Sequence, residues 1–141
     1  MIRMIHHARR RATRRAASAV EFALIAPLMI SFTFGLIEFG RLMLVKQTAT
    51  HATREGARVA VRPSADTAEV RDRVNEELAL LAINGATVEL DPANIESAAP
   101  GSMVNVRVRI NMSQVSWVPG FFDFGNTQIV AETAMRREST N

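Results

Sequence analysis

The amino-acid sequence predicts an α+β fold in which a long N-terminal helix and a second, shorter helix precede a small antiparallel sheet. The first observation is an apolar run of 16 residues without a charge, from Phe22 to Ile37. The second is an apolar stripe at helical spacing after Asp66, and the third is a strict alternation of apolar and polar residues from Val104 to Met112. A chain of 141 residues then has room for one modest domain besides the apolar helix.

The first 16 residues are a basic leader. They contain six arginines and no acidic residue, whereas the remainder has 11 basic and 14 acidic side chains. The net charge of +3 therefore comes from the leader, and the rest of the chain is mildly acidic. Because the later arginines alternate with acids, this distribution argues against nucleic-acid binding.

The run from Phe22 to Ile37 is predicted to cross a membrane as a helix. As an α-helix it measures about 24 Å, somewhat less than the roughly 30 Å hydrocarbon core of a bilayer. Glu38 and Arg41 follow at a spacing that lets them pair or extend toward the interface, and the apolar pattern resumes at Leu42. A tilted span of about 20 to 25 residues is then long enough. The arginines before it orient the leader to the cytoplasm and most of the chain to the other side.

Glu21 stands directly before the apolar run. A carboxylate at the beginning of a membrane-spanning segment is energetically unfavourable unless another group pairs with it. Glu21 is therefore a functional candidate. The alternative is a glutamate at the helix start that interacts favourably with the helix dipole.

The leader has several interpretations. Small residues from Ala17 to Ala19 precede the apolar run, whereas the cleavage site of an ordinary secretory signal follows it. A mitochondrial transit peptide would share the arginines but not so long an apolar run. The remaining interpretations are a leader removed before the apolar run and an unprocessed membrane anchor.

Two helices are predicted before the sheet. Few turn residues follow the span until Gly56 and Pro63, so the first helix is predicted over residues 17–61, leaving the membrane near residue 44 as a stalk. The second helix is predicted over residues 66–84. Asp66 and Glu69 resemble a capping box at its start, and Gly85 ends it. Its apolar stripe is predicted to be core. The stripe consists of Val70, Val74, Leu78 and Leu81.

The C-terminal part is predicted to form three strands. The alternation over residues 104–112 indicates a half-buried strand, and residues 88–90 and 127–135 are weaker candidates. The intervening segments carry the Pro and Gly expected of loops. An antiparallel sheet with the second helix across its apolar face is the economical architecture.

Two groups of side chains are candidate partner surfaces. One lies on the first helix and is equally consistent with a solvated face. The other is an aromatic loop that either forms a lid on a small core or contacts a partner or membrane interface. The first group is Arg54, Glu55 and Arg58, and the second is Trp117, Phe121, Phe122 and Phe124.

The sequence offers no catalytic or metal-binding constellation. His6 and His7 lie in the leader, His51 lies in a polar helix where it is expected to be exposed, and cysteine is absent. The acids form no paired motif, and no glycine-rich phosphate loop is present. We therefore expect no enzyme, cofactor, metal or small-molecule substrate.

Three blocks of sequence occur in an order typical of one family. They are Arg15-Ala16-Ala17-Ser18-Ala19-Val20-Glu21-Phe22-Ala23-Leu24, then Gly35-Leu36-Ile37-Glu38-Phe39-Gly40-Arg41 after Pro27, then Ala52-Thr53-Arg54-Glu55-Gly56-Ala57-Arg58. Together they resemble the TadE-like family of minor pilin-like proteins from the bacterial tight-adherence (Tad/Flp) pilus system. The resemblance covers less than half of the chain.

The resemblance implies a leader that a prepilin peptidase removes at the cytoplasmic face, with a glutamate as the fifth residue of the mature chain. Counting back from Glu21 places the cut between Ala16 and Ala17. The family usually has glycine before the cut, and Ala16 is a departure from that pattern. The new amino group could pair with Glu21 in the same or a neighbouring subunit, so Glu21, with Phe22 beside it, is expected to be an assembly determinant.

The sequence thus predicts a minor pilin or pseudopilin in the bacterial cytoplasmic membrane. The domains are a leader over residues 1–16, a transmembrane and stalk helix over 17–62, and an extracytoplasmic α+β head over 63–141. The expected partners are the membrane, the prepilin peptidase, other pilin subunits and the pilus assembly machinery. The alternative is an unprocessed single-pass protein whose external head binds another envelope component.

Overall fold

The computed structural model describes residues 3–116 and 126–139, with side chains from residue 16 onward. The elements are α1 (Arg3–Ala60), α2 (Thr67–Ala79), β1 (Thr87–Asp91), β2 (Met103–Asn111) and β3 (Gln128–Arg136), with 3₁₀ turns at Ile95–Ser97 and Met112–Gln114. The predicted α+β order is confirmed. The chain divides into two compact units, one ending at Ile37 and one beginning at Glu38, and α1 contributes to both.

The first unit contains the apolar part of α1. This helix includes a stretch long and apolar enough to cross a membrane, and none of that stretch is buried by protein. Pro27 lies inside the helix without ending it. The hydroxyls of Ser31 and Thr33 donate to the backbone carbonyls of Pro27 and Met29, both at 2.8 Å. These two polar side chains are therefore satisfied within the helix, as a lipid environment requires.

The predicted first helix is confirmed, and it also extends into the leader. α1 begins at Arg3 rather than at Ala17. The leader is rich in alanine and arginine and has neither glycine nor proline, so no residue in it interrupts a helix. The predicted end at residue 61 agrees with the observed end at Ala60 to within the usual variation of helix termini.

The C-terminal part of α1 forms one layer of the core in the second unit. Its small residues are buried on one face, and they pack in the same cluster as α2 and the sheet. The buried apolar side chains are those of Val45, Ala49, Ala52, Ala57 and Ala60. The segment predicted as a stalk thus also supports the head, because short side chains allow the helix axes to approach closely.

Gly56 marks the closest approach in this layer. A Cβ atom at this position would overlap Cγ2 of Val74 on α2 and would lie 3.4 Å from Cγ1 of Val106 on β2. Only a residue without a side chain lets α1 contact the second helix and the sheet at the same point. The glycine therefore has a packing role.

The predicted Asp66 cap of α2 is confirmed, and the predicted end of the helix is wrong. The carboxylate of Glu69, which was predicted to complete a capping box, accepts from Nη2 of Arg62. Oδ1 of Asp66 accepts a hydrogen bond from the backbone N–H of Glu69 at 2.6 Å. The helix stops at Ala79 rather than near residue 84. Ala82 adopts the left-handed conformation with φ of 53°, and its N–H donates to the carbonyl of Ala79 at 2.9 Å. The N–H of Ile83 donates to the carbonyl of Leu78 at 3.2 Å, which completes a Schellman motif without glycine.

The sheet is three-stranded and antiparallel, as predicted, and its strand order is β1-β2-β3. On β2, the apolar residues of the alternating pattern are completely buried. They are Val104, Val106, Val108 and Ile110. Met112 was predicted as part of this strand and instead begins a 3₁₀ turn, because the side chain of Asn111 accepts from the N–H of Ser113 at 3.1 Å. A hydrogen bond of 2.9 Å between the hydroxyls of Thr53 and Thr133 joins α1 to β3.

Replacing Gly56 with alanine should destabilise the head. Alanine gains up to about 1 kcal/mol of helix propensity over glycine. The overlap with Val74 costs about 1–3 kcal/mol, because a short β-branched side chain in a packed core has little freedom to move. Urea unfolding of the detergent-solubilised protein should therefore show a lower free energy of unfolding. Gly40→Ala is the matched control, since a Cβ at Gly40 has no atom within 4 Å. Equal stability of the two variants would contradict this account of the packing.

Replacing Ala82 with glycine should stabilise the protein. An L-residue in the left-handed region costs roughly 1 kcal/mol, and glycine avoids most of that cost. We expect a higher unfolding midpoint for Ala82→Gly in the same urea experiment. Ala79→Gly, which changes a helical residue, should lower it instead. Two shifts in the same direction would show that the left-handed conformation at Ala82 does not end the helix.

Candidate functional site

The residues around the predicted processing site lie on one uninterrupted helix. Ala16, Ala17, Glu21 and Phe22 all belong to α1, and all four side chains are exposed. Ala17 and Glu21 are four positions apart, so they share a face of the helix and are separated by about 6 Å along its axis. An amino terminus created at Ala17 would therefore lie about one turn from the Glu21 carboxylate.

The two charged residues that follow the apolar run belong to the second compact unit. Glu38 is only 2% exposed. The guanidinium of Arg41 donates from Nη2 to the carbonyl of Leu81 at 3.3 Å and from Nε to the carbonyl of Val115 at 3.4 Å. Arg41 thus connects α1 to the turn after α2 and to the 3₁₀ turn after β2. The hydropathy pattern alone did not predict these contacts, although Glu38, Arg41 and the buried Val45 share one helix face.

The predicted surface on α1 takes part in an ion-pair network with α2. Glu55 accepts from Nη1 of Arg58 at 3.3 Å and lies 3.8 Å from Nη2 of Arg73. Arg73 also pairs with Glu76 at 2.8 Å and with Glu77 at 2.5 Å. The hydrogen bond to Glu76 is the main reason that the pKa of Arg73 is raised above its ordinary value. These interactions hold the side chains of Glu55 and Arg58 in place on α1.

His51 and Arg54 flank this network. His51 has a side chain that is 60% exposed, as expected, and its Nε2 lies 3.5 Å from a carboxylate oxygen of Glu77. Arg54 is exposed. A docking role for Arg54, Glu55 and Arg58 stays a prediction. The aromatic residues Trp117, Phe121, Phe122 and Phe124 lie outside the described residues.

The outer face of the sheet carries a ladder of charges that the sequence analysis missed. Arg107 on β2 pairs with Glu132 on β3 at 2.8 Å, and Arg109 pairs with Glu89 on β1 at 2.9 Å. Hydrogen bonds from Asn105 and Arg107 lower the pKa of Glu132. The alternation placed the arginines on the wet face, but only the strand register, with Arg107 opposite Glu132 and Glu89, identifies their partners.

A second carboxylate is held at the start of α2. Glu96 accepts from the backbone N–H of Thr67 at 2.8 Å and from the Thr67 hydroxyl at 2.9 Å. These hydrogen bonds lower the pKa of Glu96. The contact fixes the loop between β1 and β2 against the first turn of the helix. Among the residues that the structure describes, no group of three or more His, Asp or Glu side chains is arranged to hold a metal ion.

Comparison with known proteins finds a family similarity in the N-terminal part of the chain. Residues 16–58 match the family model described as TadE-like protein. This match confirms the resemblance drawn from the sequence over that range. No curated protein and no solved structure matches the chain significantly. The matched range contains the candidate processing site, Glu21, the apolar segment and Gly56, and it ends before α2 and the sheet.

Proposed function

We propose that this protein is a minor pilin or pseudopilin, a structural component of a Tad/Flp pilus assembly system in the bacterial cytoplasmic membrane. One observation carries the proposal. The range that matches the TadE-like family begins at Ala16 and coincides with a helix whose exposed apolar segment starts directly after Glu21. TadE-like proteins are a pilin-like structural family and not an enzyme family, which agrees with the absence of a catalytic constellation in the sequence.

The orientation follows from the charge distribution. Six arginines and no acid precede the span, so the positive-inside rule keeps the leader in the cytoplasm. The second helix and the sheet then lie outside the cytoplasm. The ion pairs of the head, including Arg107 with Glu132, suit an aqueous surface.

We further propose that a prepilin peptidase cleaves between Ala16 and Ala17. Both side chains are exposed on α1. The peptide before the cut carries six arginines and is lost with the leader. Alanine is the smallest side chain that could replace the glycine usual in this position.

Cleavage would give Glu21 a partner. The new α-amino group at Ala17 is a cation about one helical turn from the carboxylate, and the same group on a neighbouring subunit is an equivalent partner. An ion pair within the membrane offsets part of the cost of placing either charge there. Glu21 is therefore proposed to set the register of subunits, and Phe22 beside it, 73% exposed, is available for contacts between helices.

One observation favours a second candidate function. Ala16 occupies the position where the family usually has glycine, so the leader could stay attached. The protein would then be a single-pass anchor whose head binds another envelope component, with the exposed Arg54 and its neighbours Glu55 and Arg58 as a candidate surface. The two functions differ in the N-terminus of the mature protein.

Deleting the gene from the bacterium that carries it should abolish assembled Tad pili and surface adherence. The wild-type gene should restore both, whereas Glu21→Ala should leave them at the level of the deletion strain, because the carboxylate that pairs with the new amino terminus is gone. Pili are counted by electron microscopy, and the amount of each variant in the membrane is measured by immunoblotting.

Glu138→Ala is the matched control, because Glu138 is an exposed acid whose backbone N–H, not its side chain, bonds to Val61. It should restore pili fully. Unchanged pili in the deletion strain would disprove the proposed function. Full restoration by Glu21→Ala, at a normal level in the membrane, would disprove the role of Glu21 alone.

A further inference from the structure

We propose that the end of the head that carries Leu80 lies in the interfacial layer of the bilayer, so that Leu80 is a lipid contact of the folded domain. The inference rests on the proposed membrane span in α1. It adds a second attachment, because the head would touch the membrane through its own surface as well as through the helix that crosses it.

The uncharged apolar run needs further turns of α1 to cross a bilayer. The uncharged run from Phe22 to Ile37 measures about 24 Å as a helix, which is short of the roughly 30 Å hydrocarbon core. The next turns of α1 supply what is missing, since Phe39, Met43 and Leu44 are 59%, 45% and 44% exposed. Lipid is the favourable environment for these side chains, so the membrane-facing surface extends to Leu44.

The head begins to pack on these same turns. Glu38 and Val45 are buried within the second compact unit, and they lie about 100–120° around α1 from Phe39. Between them, Arg41 donates hydrogen bonds to the carbonyls of Leu81 and Val115. At one level of the helix, therefore, one face is suited to lipid and another is in contact with the head. The part of the head at this level must lie within or directly beside the bilayer surface.

Leu80 occupies this part of the head. It directly precedes Leu81, whose carbonyl accepts from Arg41, and its side chain is 76% exposed. This is the largest exposed fraction of any large apolar side chain among the residues that the structure describes. A single exposed leucine is ordinary on a protein surface. At the depth of the bilayer interface, however, an apolar side chain is favourably buried among the acyl chains, as on interfacial helices.

Met103 provides a contrast at the other end of the head. It is 56% exposed and begins β2 opposite Arg136. The residues directly after β3 place Met103 beside the end of α1. Arg137 N–H donates to the Ser102 carbonyl at 2.8 Å, and Glu138 N–H donates to the Val61 carbonyl at 2.9 Å. Val61 follows Arg41 by 20 residues, which corresponds to about 30 Å along a helix. Met103 is therefore expected to be in water.

The absence of cysteine from the sequence allows a direct test. Leu80→Cys, Met103→Cys and Phe32→Cys are each made in the full chain and labelled with a thiol-reactive fluorophore. The proteins are reconstituted in vesicles of phosphatidylethanolamine and phosphatidylglycerol whose acyl chains are brominated near the headgroup end. Quenching of each label by the brominated lipid is compared with its quenching by aqueous iodide. Iodide is added to both sides of the vesicle membrane, so that neither measurement depends on the direction in which the protein inserts.

The lipid should quench the label at Leu80 several-fold more than the label at Met103, which iodide should reach. The label at Phe32, within the apolar run, should be quenched by lipid and not by iodide. If Phe32 behaves in this way while Leu80 is as accessible to iodide as Met103, the lipid contact of the head is disproved and the membrane span stands. If iodide quenches the label at Phe32, the proposed span fails and the inference fails with it.

Discussion

The continuity of α1 is the constraint on which the rest of the structure depends. One unbroken helix serves first as an apolar segment with no protein around it and then as a layer of the core of the head. Because the helix does not break, the change must occur through its side chains. Large apolar residues give way to alanine, glycine and threonine, and the second compact unit begins at Glu38, where the face toward the head becomes buried.

This constraint gives a physical meaning to the range that matches the TadE-like family. Its first part, from Ala16 to the end of the apolar run, contains the proposed processing site and the apolar segment that is long enough to cross a membrane. Its last part contains Gly56, where the absence of a Cβ lets α1 contact both Val74 and Val106. The matched range therefore includes the part of α1 that packs against α2 and the sheet as well as the membrane-length apolar segment. The α2 helix and the sheet lie beyond it.

The sequence predicted those features that depend on local chemistry. The alternation from Val104 onward placed β2, and Asp66 correctly predicted the beginning of α2. Features that depend on tertiary contacts were missed. Residues 46–60 were predicted as a polar stalk because alanine and threonine give a weak hydrophobic signal, although close packing needs their small size. The end of α2 was misplaced because glycine usually follows the last turn of a helix, which favoured Gly85. In the structure Ala82 adopts the left-handed conformation that ends the helix. At the candidate site, the sequence indicated Glu21 and the junction before Ala17, but the burial of Glu38 and the contacts of Arg41 required the structure.

The central claim is that α1 is the helix of a processed, pilin-like membrane subunit. The most direct test is the intact mass and N-terminal sequence of the protein extracted from membranes, expressed with and without the candidate prepilin peptidase. The account predicts a chain that begins at Ala17 only when the peptidase is present and at Met1 when it is absent. A chain that begins at Met1 in both samples would contradict it and would favour the unprocessed anchor.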